Sequence, residues 1–323
     1  MNLYLDTTLF TGPEKKSCRA GYGDELLELA KKNKKIVVLD ADLAESLKVS
    51  EFRRKYPTRF FEMGVAEATM ISAAAGLALE GFTPFTSSFA VFTPNQALSQ
   101  IRVSVAYNRA NVKIVASHAG ITTGGDGATH QALEDIAIMR TLPGVTVLAP
   151  ADYWQARKCV RAAAKILGPV YIRFGRSDVP SITTEKTPFQ VGRAQVLQEG
   201  RDIAIFAHGE AVYRALLAAK ELKKHGIRAA VINMHTIKPL DGKIIEVYAK
   251  KCKRFIVTED HQMAGGLGSA IAEYTAQHCP VPISLVAVRD KFGESGDPEK
   301  LIKKYHIDTD DIIEAAHKMM DKK

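Results

Sequence analysis

Glu67, His118, Asp126 and His130 are the side chains whose types and settings suit proton transfer or capture of a polar ligand. Glu67 lies in Phe61-Glu62-Met63-Gly64-Val65-Ala66-Glu67-Ala68-Thr69-Met70 and opens an apolar run to Leu79, with no other charge before Glu80. A carboxylate there either complements a helix dipole or forms a partly buried acid that trades a proton with a heterocycle nitrogen. Phe89 and Phe92 stand at helical spacing beside Ser87 and Ser88, as core or as an aromatic platform for a flat ring. His118 and His130 flank Gly124-Gly125-Asp126-Gly127, where glycines let the backbone approach a ligand closely. Gly265-Gly266-Leu267-Gly268 suits an anion at a helix N-terminus, although a lone glycine cluster more often serves tight strand-to-helix packing.

Gly125-Asp126-Gly127 matches in form the Gly-Asp-Gly motif that holds magnesium diphosphate in thiamine-dependent enzymes. That motif needs an asparagine downstream, and none occurs between Asn111 and Asn233. The magnesium reading therefore fails. A glycine-rich loop that presents Asp126 and His130 to a ligand survives.

The elements that must position these residues alternate. Strand candidates are Ile36–Leu39, Thr83–Thr86, Val112–Ala116, Thr146–Leu148 and Val170–Arg173, separated by helical stretches Asp24–Lys32, Ala66–Leu79 and Ala151–Ile166. That order predicts parallel strands with crossover helices, an α/β domain. Ser177–Pro188, rich in Ser, Thr and Pro, reads as a linker. A second alternation follows: Ile203–Ala207, helix Ala211–His225, Ala229–Ile232, helix Asp241–Lys250, Phe255–Thr258, helix Ser269–Gln277 and Ile283–Val286, closed by the amphipathic Thr309–Met320. The expected architecture is one α/β domain over residues 1–180 and a smaller one over 190–323. Open α/β sheets collect function in loops at the carboxyl ends of their strands. Asp42 and Ser46, Phe89 and Phe92, and His118 to His130 all follow strand candidates.

Composition narrows the class. With 323 residues, 46% hydrophobic and 25% charged, the chain is long enough for about two globular cores and too mixed for disorder or a coiled coil. The uncharged run Gly81–Ile101 contains Pro84, Pro94 and Asn95, so it is no membrane helix. No secretory signal is visible, and Cys18, Cys159, Cys252 and Cys279 are widely spaced, which fits a reducing cytoplasm without a disulfide framework or zinc site. The net charge of +8 sits partly in Lys31-Lys32-Asn33-Lys34-Lys35 and Lys322-Lys323. No aromatics are interleaved with these runs, so they read as solvated faces rather than a nucleic-acid surface. A basic surface would attract anionic small molecules.

Taken in order, Glu62–Met70, Thr86–Phe92, Ser117-His118-Ala119-Gly120-Ile121 and Gly124–Glu134 resemble the pyrimidine-binding domain of the transketolase family, and Lys291–Gly296 resembles its C-terminal domain. The similarity covers nearly the whole chain. The family's first domain, which holds the diphosphate and magnesium of thiamine diphosphate, has no counterpart here. A start at Met1 that reaches Arg19 after a short leader fits the C-terminal section of a split transketolase.

The resemblance implies roles for individual positions. Glu67 matches the glutamate that hydrogen-bonds N1′ of the aminopyrimidine, and Phe92, with Phe89 nearby, matches the aromatic residue stacked on that ring. His118, Asp126 and His130 match residues that contact sugar hydroxyls, with His130 counted among the catalytic groups. Arg19, Ser46 and Arg176 match those holding the substrate phosphate, with Arg173 close enough to compete for the last position. Asp42 takes a place near the cofactor. The implied reaction is reversible transfer of a two-carbon ketol unit between sugar phosphates. The implied cofactor is thiamine diphosphate, with Mg2+ bound by a partner subunit equivalent to the N-terminal section. The implied assembly is α2β2, containing a homodimer of this chain. Deoxyxylulose-phosphate synthase shares Gly-Asp-Gly-Ala-Thr-His-Gln but usually lacks a counterpart of His118. The β subunit of 2-oxoacid dehydrogenases lacks that run, and a non-catalytic binding subunit would have no need of Glu67.

Overall fold

The computed structural model describes residues 5–321; Met1 and the Lys322-Lys323 run lie outside them. Ile36–Asp40, Thr83–Phe89, Lys113–Ser117 and Val170–Arg173 are buried along their whole length, as strands covered by helices on both faces must be. Along Ile36–Asp40, Ile36 and Val38 pack with Tyr22 and Val160 on one face, while Val37 and Leu39 pack with Ile71 and Val105 on the other. These strands form a seven-stranded sheet with Thr146–Leu148 and the short Phe60–Glu62 and Thr236–Lys238. All its pairings are parallel except that of Thr236–Lys238 with Thr146–Leu148.

The second sheet has five strands, with Phe255–Gln262 and Ala229–Asn233 flanking Ile203–Ala207 in parallel. Ile283–Val288 extends one edge in parallel and Gln195–Gln198 the other in antiparallel. The two halves are interlocked: Thr236–Lys238, from the second half, hydrogen-bonds onto the first sheet. One apolar cluster joins Ile136 and Met139 of the first half to Ile237, Leu267 and Ile271 of the second.

Several boundaries differ from the sequence reading for physical reasons. The first helix spans Cys18–Lys32 rather than Asp24–Lys32. Gly21 and Gly23 look like breakers but are helical, because a Cβ on Gly21 would come 2.5 Å from the Tyr153 carbonyl oxygen and one on Gly23 would strike that of Lys48. The helix is pinned to Tyr153–Ala163 by the buried Glu25, which accepts from Arg157 Nε at 3.0 Å and Arg161 Nε at 2.6 Å. Ser177–Pro188 is not a free linker. Asp178–Pro180 pairs antiparallel with Lys15–Ser17, and the buried Asp152 accepts from the Ile182 and Thr183 amides. Gly81–Ile101 becomes the strand Thr83–Phe89 and short helices, and no helix among the described residues is long and apolar enough to cross a membrane.

Gly→Ala in a helix interior ordinarily stabilises by about 0.5–1 kcal/mol. Gly21→Ala is expected to do the reverse, because the Tyr153 carbonyl occupies the space and overpacking costs about 1–3 kcal/mol. A lower urea midpoint is the expected readout. A raised midpoint would show that the two helices are not in this contact.

Candidate functional site

Four neighbouring parallel strands end side by side, and the loops after them carry the residues singled out from the sequence. Asp42 and Ser46 follow Ile36–Asp40, Phe92 follows Thr83–Phe89, His118 to His130 follow Lys113–Ser117, and Arg176 follows Val170–Arg173. The second of these strands is longer than expected and includes Ser87 and Ser88, whose side chains point to opposite faces. Ser87 Oγ lies 2.8 Å from the Tyr22 hydroxyl on one side. Ser88 Oγ donates to Glu67 Oε1 at 3.1 Å on the other.

Glu67 is the first residue of the Glu67–Leu79 helix and is only 2% exposed. Its Oε2 is buried and has no hydrogen-bond partner among the described residues. A helix-dipole role alone would leave the carboxylate in water. A buried acceptor oxygen without a donor costs about 1–3 kcal/mol, so this geometry suits a donor brought by a ligand.

Phe89 and Phe92 do not share a helix face, as their spacing suggested. Phe89 ends the strand and Phe92 sits just before the helix Thr93–Gln96. Their rings nevertheless stack, with centroids 5.8 Å apart, and Phe89 lies 3.7 Å from the His118 ring, nearly parallel to it. His130 meets Phe92 edge-on at 5.3 Å. Thus both histidines and both phenylalanines form one aromatic wall. His118 is pushed down to about 3, by burial first and then by the Arg19 and Arg176 charges, so it is a neutral hydrogen-bonding group at physiological pH. Its Nδ1 lies 2.8 Å from Ser117 Oγ.

Arg19, Ser46 and Arg176 come together. Arg19 Nη1 donates to the Ser46 carbonyl at 2.8 Å, Nη2 donates to the Arg176 carbonyl, and the buried Nε has no partner. Burial and then the Arg176 charge lower the Arg19 pKa, a tension that an anion between the two guanidiniums would relieve. Arg176 Nη1 donates to the Thr123 carbonyl at 3.2 Å, and its Nε lies 3.9 Å from Asp126 Oδ2. Arg173 is engaged elsewhere: it is buried against Asp135 and donates to the Asp260 carbonyl. Asp42 is exposed in a left-handed conformation (φ 60°), with its amide donating to Glu62 Oε1.

Some participants escaped the sequence reading. Ser88 is recognisable only once the strand is known to continue past Thr86. Asp40 is fully buried, pushed up to about 7 chiefly by burial, and its Oδ1 lacks a partner. The glycine run at 265–268 takes no external anion in this fold, because the Glu259 carboxylate accepts from the Leu267 and Gly268 amides, both at 2.8 Å.

Comparison with known proteins now decides the family. Residues 14–181 match the transketolase pyrimidine-binding domain and residues 192–312 the transketolase C-terminal domain. The chain belongs to the transketolase family. A Methanocaldococcus jannaschii protein described as a transketolase C-terminal section is 46% identical over 311 residues, which covers 95% of this chain and 97% of that protein. The 6-deoxy-6-sulfo-D-fructose transketolase subunit SqwH of a Clostridium species is 44% identical, covering 94% and 95%. A solved split-gene transketolase, described as an inactive β4 tetramer, is 45% identical with a TM-score of 0.88, covering 94% of this chain and 98% of that one.

The site makes a pH prediction. Glu210, beside this loop cluster, is pushed from 4.5 up to about 7, by burial first and then by the Asp260 charge, against the pull of Thr122, Arg214 and Arg173. Between those values the folded chain holds a proton that the unfolded chain releases, so stability falls as pH rises through that window. Glu210→Gln removes this contribution, while Asp40 keeps its own in the same direction. The urea midpoint of the wild type should therefore lose ground to that of the variant between pH 5 and pH 8, and a midpoint difference that does not change with pH would contradict the assignment.

Proposed function

We propose that this chain is the C-terminal subunit of a two-part transketolase that transfers a two-carbon ketol unit reversibly from a ketose phosphate to an aldose phosphate, as in the pentose phosphate pathway. The observation that carries the reading is Glu67, whose second carboxylate oxygen is buried without a donor on the same sheet edge as the neighbouring Arg19 and Arg176. The transketolase family depends on thiamine diphosphate, and the aminopyrimidine half fits here by chemistry. Glu67 Oε2 supplies an acceptor, and Phe92, partly exposed, supplies a flat apolar face. When bound, the cofactor supplies the thiazolium carbon that accepts and returns the two-carbon unit.

The chain's own residues then have distinct tasks. Glu67 holds and moves a proton at the pyrimidine N1′, and the Ser88 hydroxyl fixes the orientation of the carboxylate. Phe89 and Phe92 exclude water from that contact. His118 and Asp126 hold sugar hydroxyls, and His130 moves a proton at the reacting end of the sugar. Arg19 and Arg176 hold the terminal phosphate, for which two guanidiniums offer charge-assisted bonds. Mg2+ with the diphosphate is assigned to the partner, because the Gly125-Asp126-Gly127 run has no asparagine following it before Asn233. The proposed assembly is a heterotetramer, two copies of this chain and two of an N-terminal-section subunit, in a reducing cytoplasm where the four thiols stay free. The name of the Clostridium relative allows a sulfonate at the same anion pocket, since both groups present tetrahedral oxyanions.

The direct test is complementation. The purified chain with thiamine diphosphate and Mg2+ is expected to be inactive, and ketol transfer is expected once an N-terminal-section subunit is added. Robust activity of the chain alone would overturn the two-part reading. In the reconstituted complex Glu67→Gln should lower kcat by about 10²-fold or more, with little change in folding. A near-wild-type rate at saturating cofactor would remove Glu67 from the chemistry.

The anion pocket is tested separately. Arg19→Ala or Arg176→Ala should raise KM for ribose 5-phosphate about tenfold to a hundredfold, as loss of a charged hydrogen bond implies. Glycolaldehyde, which carries no phosphate, should be nearly indifferent to either change. Equal losses on both acceptors would make the arginines structural.

A further inference from the structure

The loop that bears Asp126 is held from the other half of the chain. Ile121–Asp126 forms two short helical turns kinked at Gly124 (φ 73°) and is entered through His118 and Gly120, both at positive φ (59° and 86°). Such a strained entry persists only where surrounding contacts over-determine it. Asp260, on the strand Phe255–Gln262, supplies those contacts. Its Oδ1 accepts from the Ile121 amide at 2.8 Å, and its Oδ2 from the Thr122 amide and hydroxyl, both at 3.3 Å. Gly120 must lack a side chain because a Cβ there would land on this carboxylate. Asp260 is itself fixed, since its carbonyl accepts from Arg173 Nη2 at 2.7 Å and Arg173 is locked to Asp135. From Thr122 and Thr123 the grip passes to the substrate side: Thr123 Oγ1 donates to the His118 carbonyl at 2.8 Å, and Arg176 donates to the Thr123 carbonyl. The stretch near Glu294 closes the far end. Gln131 Nε2 donates to the carbonyls of Ile121, Gly124 and Glu294, and the Gly296 amide to that of Gly124.

We propose that Asp260 is a positioning residue of the smaller domain, whose carboxylate sets the Gly120–Asp126 turn and so aims His118, Asp126 and Arg176 at the sugar. This rests on the sugar-binding reading of those residues. Both carboxylate oxygens of Asp260 are taken by this turn, so it acts through the loop. Its loss should therefore blur recognition of hydroxyl configuration while leaving the Glu67 and Phe92 end intact.

The experiment compares Asp260→Asn with the wild type in the complex reconstituted with an N-terminal-section subunit. Amide for carboxylate keeps size but places an NH2 group against backbone N–H donors. The readout is kcat/KM for ribose 5-phosphate divided by that for arabinose 5-phosphate, which differ only in configuration at C2. This ratio is independent of how much protein is active, so partial unfolding cannot mimic the effect. It is expected to fall by about fivefold or more, through KM rather than kcat, with unchanged Kd for thiamine diphosphate. An unchanged ratio, with both acceptors losing equally, would overturn the proposal. Independently of activity, hydrogen exchange over residues 119–126 of the full chain should quicken about tenfold or more in Asp260→Asn, and unchanged protection would also overturn it. A wild-type complex without ketol transfer would sink the function reading, while the exchange data would still decide the anchor. Should Asp260→Asn fail to fold, Asp260→Ala, which leaves the Ile121 and Thr122 amides without their acceptor and sets no new donor against them, faces the same two criteria.

Discussion

In-register parallel pairing of four adjacent strands is the constraint on which the site depends. Asp40 lies opposite Ser87, Ser88 opposite Ala116, Phe89 opposite Ser117, and Ala116 opposite Arg173. This register places Ser88 under Glu67 and starts the His118 turn beside Phe89. Because side chains alternate, a slip of one residue would send Ser88 to the Tyr22 face and Ser87 to Glu67. The opposite edge of the sheet has its own clamp. Lys113 is fully buried, its pKa lowered to about 7 by burial, and its ammonium donates to Asn111 Oδ1 and the Ile166 and Gly168 carbonyls, all at 2.7 Å. It thereby ties the start of one strand to the turn that feeds the next.

Buried polar groups divide into those the fold satisfies and those it leaves waiting. Glu25 has two arginines, Arg173 has Asp135, Asp152 caps a helix and holds the Ile182 and Thr183 amides, and Glu259 caps a helix while facing His208. Each offsets its desolvation with directed hydrogen bonds, which a buried charge requires. Among the described residues, buried side-chain atoms without partners occur in both halves, His208 Nδ1, Asn233 Oδ1 and His235 Nε2 included. Those carried by Asp, Glu or Arg are Arg19 Nε, Asp40 Oδ1 and Glu67 Oε2, all on elements that end at or border the site edge. Unused hydrogen-bonding capacity on charged side chains, rather than any single residue, is what distinguishes this edge among the described residues.

Apolar strands were legible because β-branched runs need no tertiary context: Thr146–Leu148, Val170–Arg173 and Ile203–Ala207 stand where the pattern puts them. Polar strand segments were not. Thr83–Phe89 carries Ser87 and Ser88, which read as loop, yet both hydroxyls find buried partners that only the folded sheet provides. Phe60–Glu62, Gln195–Gln198 and Thr236–Lys238 are short, largely edge elements with weak alternation. Glu67, Phe92, Asp126 and the histidines were legible as a family pattern, and their convergence on one edge is what the structure adds. The sequence pattern favours Arg176 with Arg173 close by, and that Arg173 is engaged by the buried Asp135 is visible only in the fold.

The strand Phe255–Gln262 explains why the smaller domain is packed so tightly against the first. It runs past the expected end at Thr258 into Glu259, Asp260 and His261, all buried. Burying three titratable residues in succession would be costly were they there only to continue a sheet. Alternation sends neighbours to opposite faces. Glu259 turns inward to cap its own domain's helix at Leu267, and Asp260 turns across the boundary to cap the turn at Ile121. One strand end thus stabilises two helical N-termini with adjacent carboxylates, one in each half of the chain. The two halves are tied through this strand end, because either carboxylate, if it moved, would strand the backbone donors it holds. The Gly120–Asp126 turn is therefore held by the same strand end that caps a helix of the smaller domain.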